Sequence, residues 1–212
     1  MHIEQLIVGS MGVCCYVVHC EDTLEGIVID PGGDEKRILA YCDKAKVKVK
    51  AIVATHGHPD HVCGNAVLRE KTGAPIVMFA GEAKFFGLEE TRRYFSILGL
   101  PESPPPDRTV SDGETIAFGK EGLTVIHTPG HTPGGICLYS APHLFTGDTL
   151  FAGGVGRTDF PGGNSAMLLR SLRERLLTLP EDTIVWPGHG YGGESSTIGM
   201  EKKSNPFLTG AF

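Results

Sequence analysis

Six consecutive residues, His56-Gly57-His58-Pro59-Asp60-His61, hold three imidazoles and a carboxylate, the side chains that most often ligate Zn, Fe or Mn. Three more donors stand in one recurring setting, where an apolar run ends, glycine or proline follows, and a ligand-type side chain appears. They are His131 in Thr128-Pro-Gly-His-Thr, Asp148 in Thr146-Gly-Asp-Thr and His189 in Trp186-Pro-Gly-His-Gly. Each of the three alone reads as a solvated loop residue; with the first cluster they form a set of five imidazoles and two carboxylates. A structural zinc takes four ligands, normally with cysteine, and a catalytic zinc takes three with an open position, so this set fits two ions sharing one carboxylate and a water. Pro59 pushes His58 toward extended backbone and Gly57 frees the turn, so the imidazoles of His56 and His58 can converge, as an i, i+2 pair on a helix cannot. The assignment places His56, His58 and His131 on one ion, Asp60, His61 and His189 on the other, and Asp148 between them. The cofactor is then two divalent cations, zinc in the first place, with iron or manganese open to the same ligands. Such a pair, about 3.5–4 Å apart, lowers the pKa of a shared water from 15.7 toward 7 and polarises a carbonyl. Hydrolysis by metal-bound hydroxide follows, with His56, His58, Asp60, His61 and Asp148 as catalytic residues and no serine or cysteine nucleophile.

The elements that position these donors can be read from periodicity. Residues 2–8, 13–19 and 24–30 alternate or run apolar between turn residues, a β-meander. Residues 34–45 follow as a helix with Ile38, Leu39 and Cys42 at helical spacing, and a strand over 47–54 delivers the chain to the first cluster. A short helix over 65–71, a strand over 75–80 and one helix over 81–98 come next; the aromatic stripe of that helix, Phe85, Phe86, Tyr94 and Phe95 with Leu88, reads as core. Four prolines between 101 and 106 predict an irregular connector. A second meander spans 114–118, 122–127, 134–140 and 143–147, then a leucine-rich helix over 166–179 and a strand over 183–186. Two β-rich halves with helices point to an α+β fold, an αββα sandwich of two sheets with helices outside.

Composition bounds the rest. With 212 residues, 41% hydrophobic and 21% charged, the chain reads as one domain over 1–212 that buries its own core. A net charge of −6 argues against nucleic acid as a partner, and Lys46, Lys48 and Lys50 read as the solvated face of a strand. Six cysteines without a CxxC pair, and no secretory segment at the first residues, predict free thiols and a cytoplasmic location. No apolar run approaches the ~18 residues of a membrane span, so no membrane partner is expected.

Taken in order, Asp30-Pro-Gly, His56-x-His58-x-Asp60-His61, His131, Asp148 and His189 resemble the metallo-β-lactamase superfamily across most of the chain. The resemblance implies an αββα sandwich with the metals at the shared end of its sheets, and Asp30 as a group bracing the metal loops. Thr128-Pro-Gly-His-Thr-Pro-Gly, Gly147-Asp-Thr-Leu-Phe, Gly156-Arg-Thr-Asp-Phe and Asn205-Pro-Phe are closer still to short, single-domain glyoxalase II enzymes. That likeness implies a small-molecule thioester, such as S-lactoylglutathione, as substrate. Long glyoxalase II enzymes contact glutathione through a C-terminal helical domain, whereas here about twenty residues follow His189. Thiol recognition then falls to the core, with Arg157, Tyr191, Lys202 and Lys203 as candidates. Gly156-Arg-Thr-Asp-Phe also resembles persulfide dioxygenases, which hold one iron on this scaffold, and lactonases are a nearer hydrolytic alternative. A flavodiiron-type redox module would need a flavin domain that this length cannot hold, and a non-catalytic metal-binding domain should have lost ligands.

Overall fold

Alternation along the second strand decides the layering. All seven residues of β2 (Val13–His19) are buried, with Cys14, Tyr16 and Val18 in one hydrophobic cluster and Cys15 and Val17 in another. A strand can be apolar on both faces only where both are covered. The same division recurs in β3 (Glu25–Ile29), with Ile27 and Ile29 against Val28, and in β4 (Lys48–Val53), with Ala51 and Val53 against Ile52.

The structure, a computed structural model, describes residues 1–210; Ala211 and Phe212, the end of the expected 1–212 domain, lie outside the described residues. The first sheet runs in chain order: β1 (His2–Val8), β2, β3, β4, β5 (Ile76–Phe79) and β6 (Arg108–Val110), antiparallel as far as β3 and parallel from there. The second comprises β7 (Thr115–Phe118), β8 (Glu121–His127), β9 (Ile136–Ser140) and β10 (His143–Gly147), with β13 (Ile184–Pro187) parallel to β10 and β14 (Ser196–Thr197) at the edge. A small ribbon, β11 (Leu150–Phe151) with β12 (Gly154–Val155), stands between β10 and β13 in the chain. The sheets face one another through Tyr16, Ile29, Phe118, Val125 and Phe145. Outside the first sheet, Ile38 and Cys42 of α1 (Glu35–Ala45) and Leu68 of α3 (Asn65–Thr72) close the core; α2 (Pro59–Val62) lies in the first ligand cluster. Outside the second, Leu168, Leu172 and Leu176 pack with Ile198. The result is the four-layer αββα sandwich of two mixed sheets.

Two helical expectations change, and two further helices appear. The helix expected over 81–98 is two helices, α4 (Ala80–Phe86) and α5 (Glu89–Phe95), and a 3₁₀ turn over 96–98. Leu88 is extended between them, with ψ 135°, so the chain bends. Its aromatic stripe is not uniformly core either: Leu88 and Tyr94 are exposed, and Phe86 and Phe95 turn to the ligand cluster. The helix expected over 166–179 is α6 (Ser165–Ser171) followed by a π turn over Leu172–Leu176, which Leu177 closes by donating its N–H to the Leu172 carbonyl. Weak periodicity hid α7 (Ile198–Ser204) and α8 (Pro206–Thr209), whose caps are Thr197 and Asn205. Lys46 is the left-handed cap of α1, so of the three lysines only Lys48 and Lys50 lie on β4, both exposed.

Polar bonds join the two sheets at one end. The Tyr16 hydroxyl donates to the Pro187 carbonyl at 2.6 Å, Cys14 N–H to Gly188 O at 2.8 Å, and Ile136 N–H to Thr55 O at 2.9 Å. Burial pushes the Tyr16 phenol well above its ordinary pKa, so it remains a donor. Tyr16→Phe is expected to leave the Pro187 carbonyl unpaired and to cost about 1–3 kcal/mol, read as a lower urea midpoint with unchanged m.

Candidate metal centre

Every potential ligand lies just beyond the carboxyl end of a strand. Asp30 follows β3, the first cluster follows β4, His131 follows β8, Asp148 follows β10 and His189 follows β13. Pro59 acts as the sequence suggests: His58 is extended, φ −61° and ψ 138°, and α2 starts at the proline, so Asp60 and His61 sit on a helical turn while His58 precedes it. Gly57 is required for close approach, because a Cβ there would lie 2.4 Å from the ring of Phe86. A Cβ on Gly188 would lie 2.3 Å from Asp148 Oδ1.

The donors converge as two groups. His56 Nε2 lies 3.1 Å from His58 Nδ1, and His131 Nε2 lies 2.9 Å from His58 Nδ1 and 3.3 Å from His56 Nε2. In the second group His61 Nε2 is 3.2 Å from His189 Nε2, and Asp60 Oδ2 is 3.7 and 3.5 Å from those two nitrogens. Asp148 stands between: Oδ1 is 3.3 Å from His61 Nε2, while Oδ2 is 3.6 Å from both His131 Nε2 and His189 Nε2. Nitrogens held 2.0–2.1 Å from a tetrahedral cation are about 3.3–3.4 Å apart, close to these separations. The buried Asp148 Oδ1 has no hydrogen-bond partner, as a ligand atom awaiting a cation would have none. These side chains therefore fit a metal pair.

The outer ring nitrogens show how three of the imidazoles are aimed. His131 Nδ1 meets the Arg157 carbonyl at 2.7 Å, His61 Nδ1 meets Asp30 Oδ2 at 3.0 Å, and His56 Nδ1 meets Thr55 Oγ1 at 3.1 Å. Such partners fix ring orientation and tautomer. Asp30 also accepts from the N–H and hydroxyl of Thr55, at 2.7 and 2.6 Å. Its own reach to His56 and His61 would permit a third metal grouping, but its oxygens are already spent on those donors, which makes it a brace. The outer nitrogens of His58 and His189 have no partner; His58 is ringed by Phe86, Phe95 and Phe160, and His189 is stacked under Tyr191 at 4.8 Å.

Electrostatics divides the groups in the same way. Burial, then the neighbouring imidazoles, holds His56 well below its ordinary pKa, and burial takes His58 down to about 3; His131 is lowered by burial. All three are neutral and ready to donate lone pairs. For His61 burial pulls the other way, but Asp148 and Asp60 outweigh it and hold the imidazole protonated, well above its ordinary value. Burial would raise Asp148; His61 and then His131 overcome it and hold the carboxyl well below the usual range.

Glu82 carried no signal in the sequence, where it is one acid at the start of an amphipathic helix. It is fully buried on α4, and its Oε1 accepts from Gly57 N–H and its Oε2 from Gly134 N–H, both at 2.8 Å. It straps the loop of His56 and His58 to the loop of His131. Burial raises its carboxyl to about 7, as no cation faces it among the described residues.

Of the substrate candidates, Arg157 and Tyr191 line a hollow of about 400 Å³ beside Asp148 and Phe151. Arg157 is paired with Asp159 and lies 3.9 Å over the ring of Phe160. Lys202 and Lys203 are a correction: their ammonium groups turn to Glu181 at 3.9 and 4.0 Å. Glu181 precedes β13 while His189 follows it, so the strand itself separates both lysines from the ligand cluster.

Comparison with known proteins agrees with this geometry. The family model of the metallo-beta-lactamase superfamily matches residues 9–189. Hydroxyacylglutathione hydrolase GloC of Haemophilus influenzae is 37% identical over 213 residues, covering 98% of each chain. The crystal structure of TTHA1623 in a di-iron-bound form is 34% identical and superposes with a TM-score of 0.84 over 97% of this chain and 100% of that one. ETHE1 from Myxococcus xanthus is 31% identical, with a TM-score of 0.84 over 99% of this chain and 85% of that one.

Two outcomes are expected. A cation entering the Asp60, His61 and His189 group must displace the proton on His61, so binding should release protons and weaken as pH falls through the raised pKa of that imidazole. Calorimetric titration with Zn²⁺ in buffers of different ionisation enthalpy reads this, and equal heats in all buffers would contradict it. Glu82→Gln puts an amide NH₂ against a backbone N–H and should weaken metal retention about tenfold to a hundredfold in chelator competition.

Proposed function

Because the chain belongs to the metallo-beta-lactamase superfamily, we propose that it is a dinuclear metallohydrolase cleaving thioesters in the manner of glyoxalase II, with S-lactoylglutathione as a representative substrate. One observation carries the reading: Asp148 reaches two separate groups, with Oδ2 3.6 Å from His131 of the His56, His58 and His131 group and equally far from His189, and Oδ1 3.3 Å from His61, of the group that includes Asp60. When bound, a pair of divalent cations supplies Lewis acidity and a water acidic enough to serve as a nucleophile near neutral pH. Zinc, iron and manganese all suit five imidazoles with two carboxylates.

The chain's own residues do the positioning. Asp30, Glu82 and the Arg157 carbonyl hold the ligand loops in register before substrate arrives, which removes reorganisation from the reaction. Arg157 and Tyr191, on the hollow beside Asp148, are placed to contact the thiol portion. A thiolate leaves without a strong general acid, since a free thiol has a pKa of about 8.5. Six free, buried cysteines suit a reducing compartment, the cytoplasm. No helix among the described residues is long and apolar enough to cross a membrane.

The likeness to ETHE1 favours a second reading, a mononuclear iron persulfide dioxygenase, for which two imidazoles and one carboxylate suffice. Metal analysis of protein purified without added metal, with parallel assays of thioester hydrolysis, lactone hydrolysis and persulfide-dependent O₂ uptake, separates the readings. Two metals per chain with thioester cleavage are expected. One iron with O₂ consumption would replace the hydrolase by the dioxygenase. Asp148→Ala should lose both metal retention and thioester turnover; full activity with unchanged metal content would remove Asp148 from between the two ions.

A further inference from the structure

A groove of about 980 Å³ runs beside α5 and the 3₁₀ turn after it, within the size range of small-molecule sites. Its floor is Phe95 and Phe160, and its sides include Leu88, Tyr94, Ile97 and Leu98. The two floor rings lie 4.8 and 5.6 Å from the ring of His58, so the groove begins where the first ligand group ends. Ile97 is 86% exposed, Tyr94 47%, Leu88 43% and Leu98 42%. Four large apolar side chains left in water within eleven residues mark a surface that something covers.

The charges say which part of a thioester that is. Two of the hollows around the metal cluster differ in chemistry. One is the hollow with Arg157, Tyr191 and the exposed glycines Gly153 and Gly192, suited to a peptide-like thiol with amides and carboxylates. The other is this groove, apolar in its floor, with Glu89 and Glu90 beside Arg93 on its rim. Two carboxylates against one guanidinium disfavour an anionic peptide there. An uncharged chain entering it replaces water on Tyr94, Ile97 and the half-buried Phe160 and buries apolar surface on both partners.

Resting on the thioester reading, we propose that this groove is the acyl site, and that the substrates are thioesters whose acyl group is an extended alkyl chain or an aromatic ring. A lactoyl group alone would leave the groove empty. Phe160 then has a second use: its ring faces His58 on one side and carries Arg157 on another, so it separates the acyl flank from the thiol flank.

S-alkylglutathione thioethers, from methyl to octyl, cannot be hydrolysed and carry the chain on the same sulfur. Calorimetric titration into metal-loaded protein should show affinity rising roughly twofold to fourfold per methylene. Ile97→Asp, a change at an exposed position that folding does not depend on, should bring the octyl-to-methyl affinity ratio down toward one, and Tyr94→Ala should lower it partway. A flat series in the unaltered protein, or a ratio indifferent to Ile97→Asp, overturns the proposal. So does a stable dimer in sedimentation that Ile97→Asp dissociates, since a second copy would then be the occupant. Parallel hydrolysis of lactoyl and octanoyl glutathione keeps the two readings apart. Chain-dependent binding without cleavage of either leaves the apolar site standing and removes the hydrolase; cleavage of both with a flat binding series removes only the acyl site.

Discussion

Five buried imidazoles meeting two carboxylates, of which Asp148 reaches an open hollow, is the condition on which the rest of this structure depends. His56, His58, His61, His131 and His189 are each at most 4% exposed, and taking such groups from water is unfavourable unless every polar atom is paired or awaits a cation. The outer nitrogens of three imidazoles and both oxygens of Asp30 are paired within the chain, while the inner atoms face one another at ligand separations. Without a cation, the carboxylates of Asp148 and Asp60 outweigh burial and favour a proton on His61. With one, the proton is redundant.

That arrangement explains why two sheets are needed. Asp30 and the first cluster come from the first sheet, and His131, Asp148 and His189 from the second. Neither sheet alone holds a complete group, because each group draws on both. The interface must therefore be rigid where the groups meet, and there the Tyr16, Cys14 and Ile136 bonds cross from sheet to sheet. Apolar packing between the sheets supplies the adhesion, and those polar bonds supply the register.

Glu82 extends the same logic to the helices. By accepting from Gly57 and Gly134 it makes α4 part of the centre, and the segment that follows α4 places Phe95 against His58. The break at Leu88 is what lets α5 turn there; a single straight helix over 81–98 would have carried Tyr94 and Phe95 onward along the direction of α4. Metal loops, strap and aromatic wall are thus one connected unit, with a polar flank at Tyr191 and an apolar flank at Ile97.

By itself the sequence singled out the candidate donors and an expected division of them between two ions. Metal ligands must be particular residue types, and strands that end in glycine and proline announce themselves by short-range pattern, so His56 to His61, His131, Asp148 and His189 were readable in one dimension. So was the sandwich, since apolar runs of strand length with no alternation must be covered on both faces. Glu82 was not readable, nor was the displacement of Lys202 and Lys203 to Glu181, nor the turning of Phe86 and Phe95 from core to ligand wall. In each case composition leaves the side chain's surroundings open. Whether an acid is a solvated helix residue or a buried strap, and whether a ring faces a core or an imidazole, depends on which distant backbone lies opposite, and only the packing of one sheet on the other decides that.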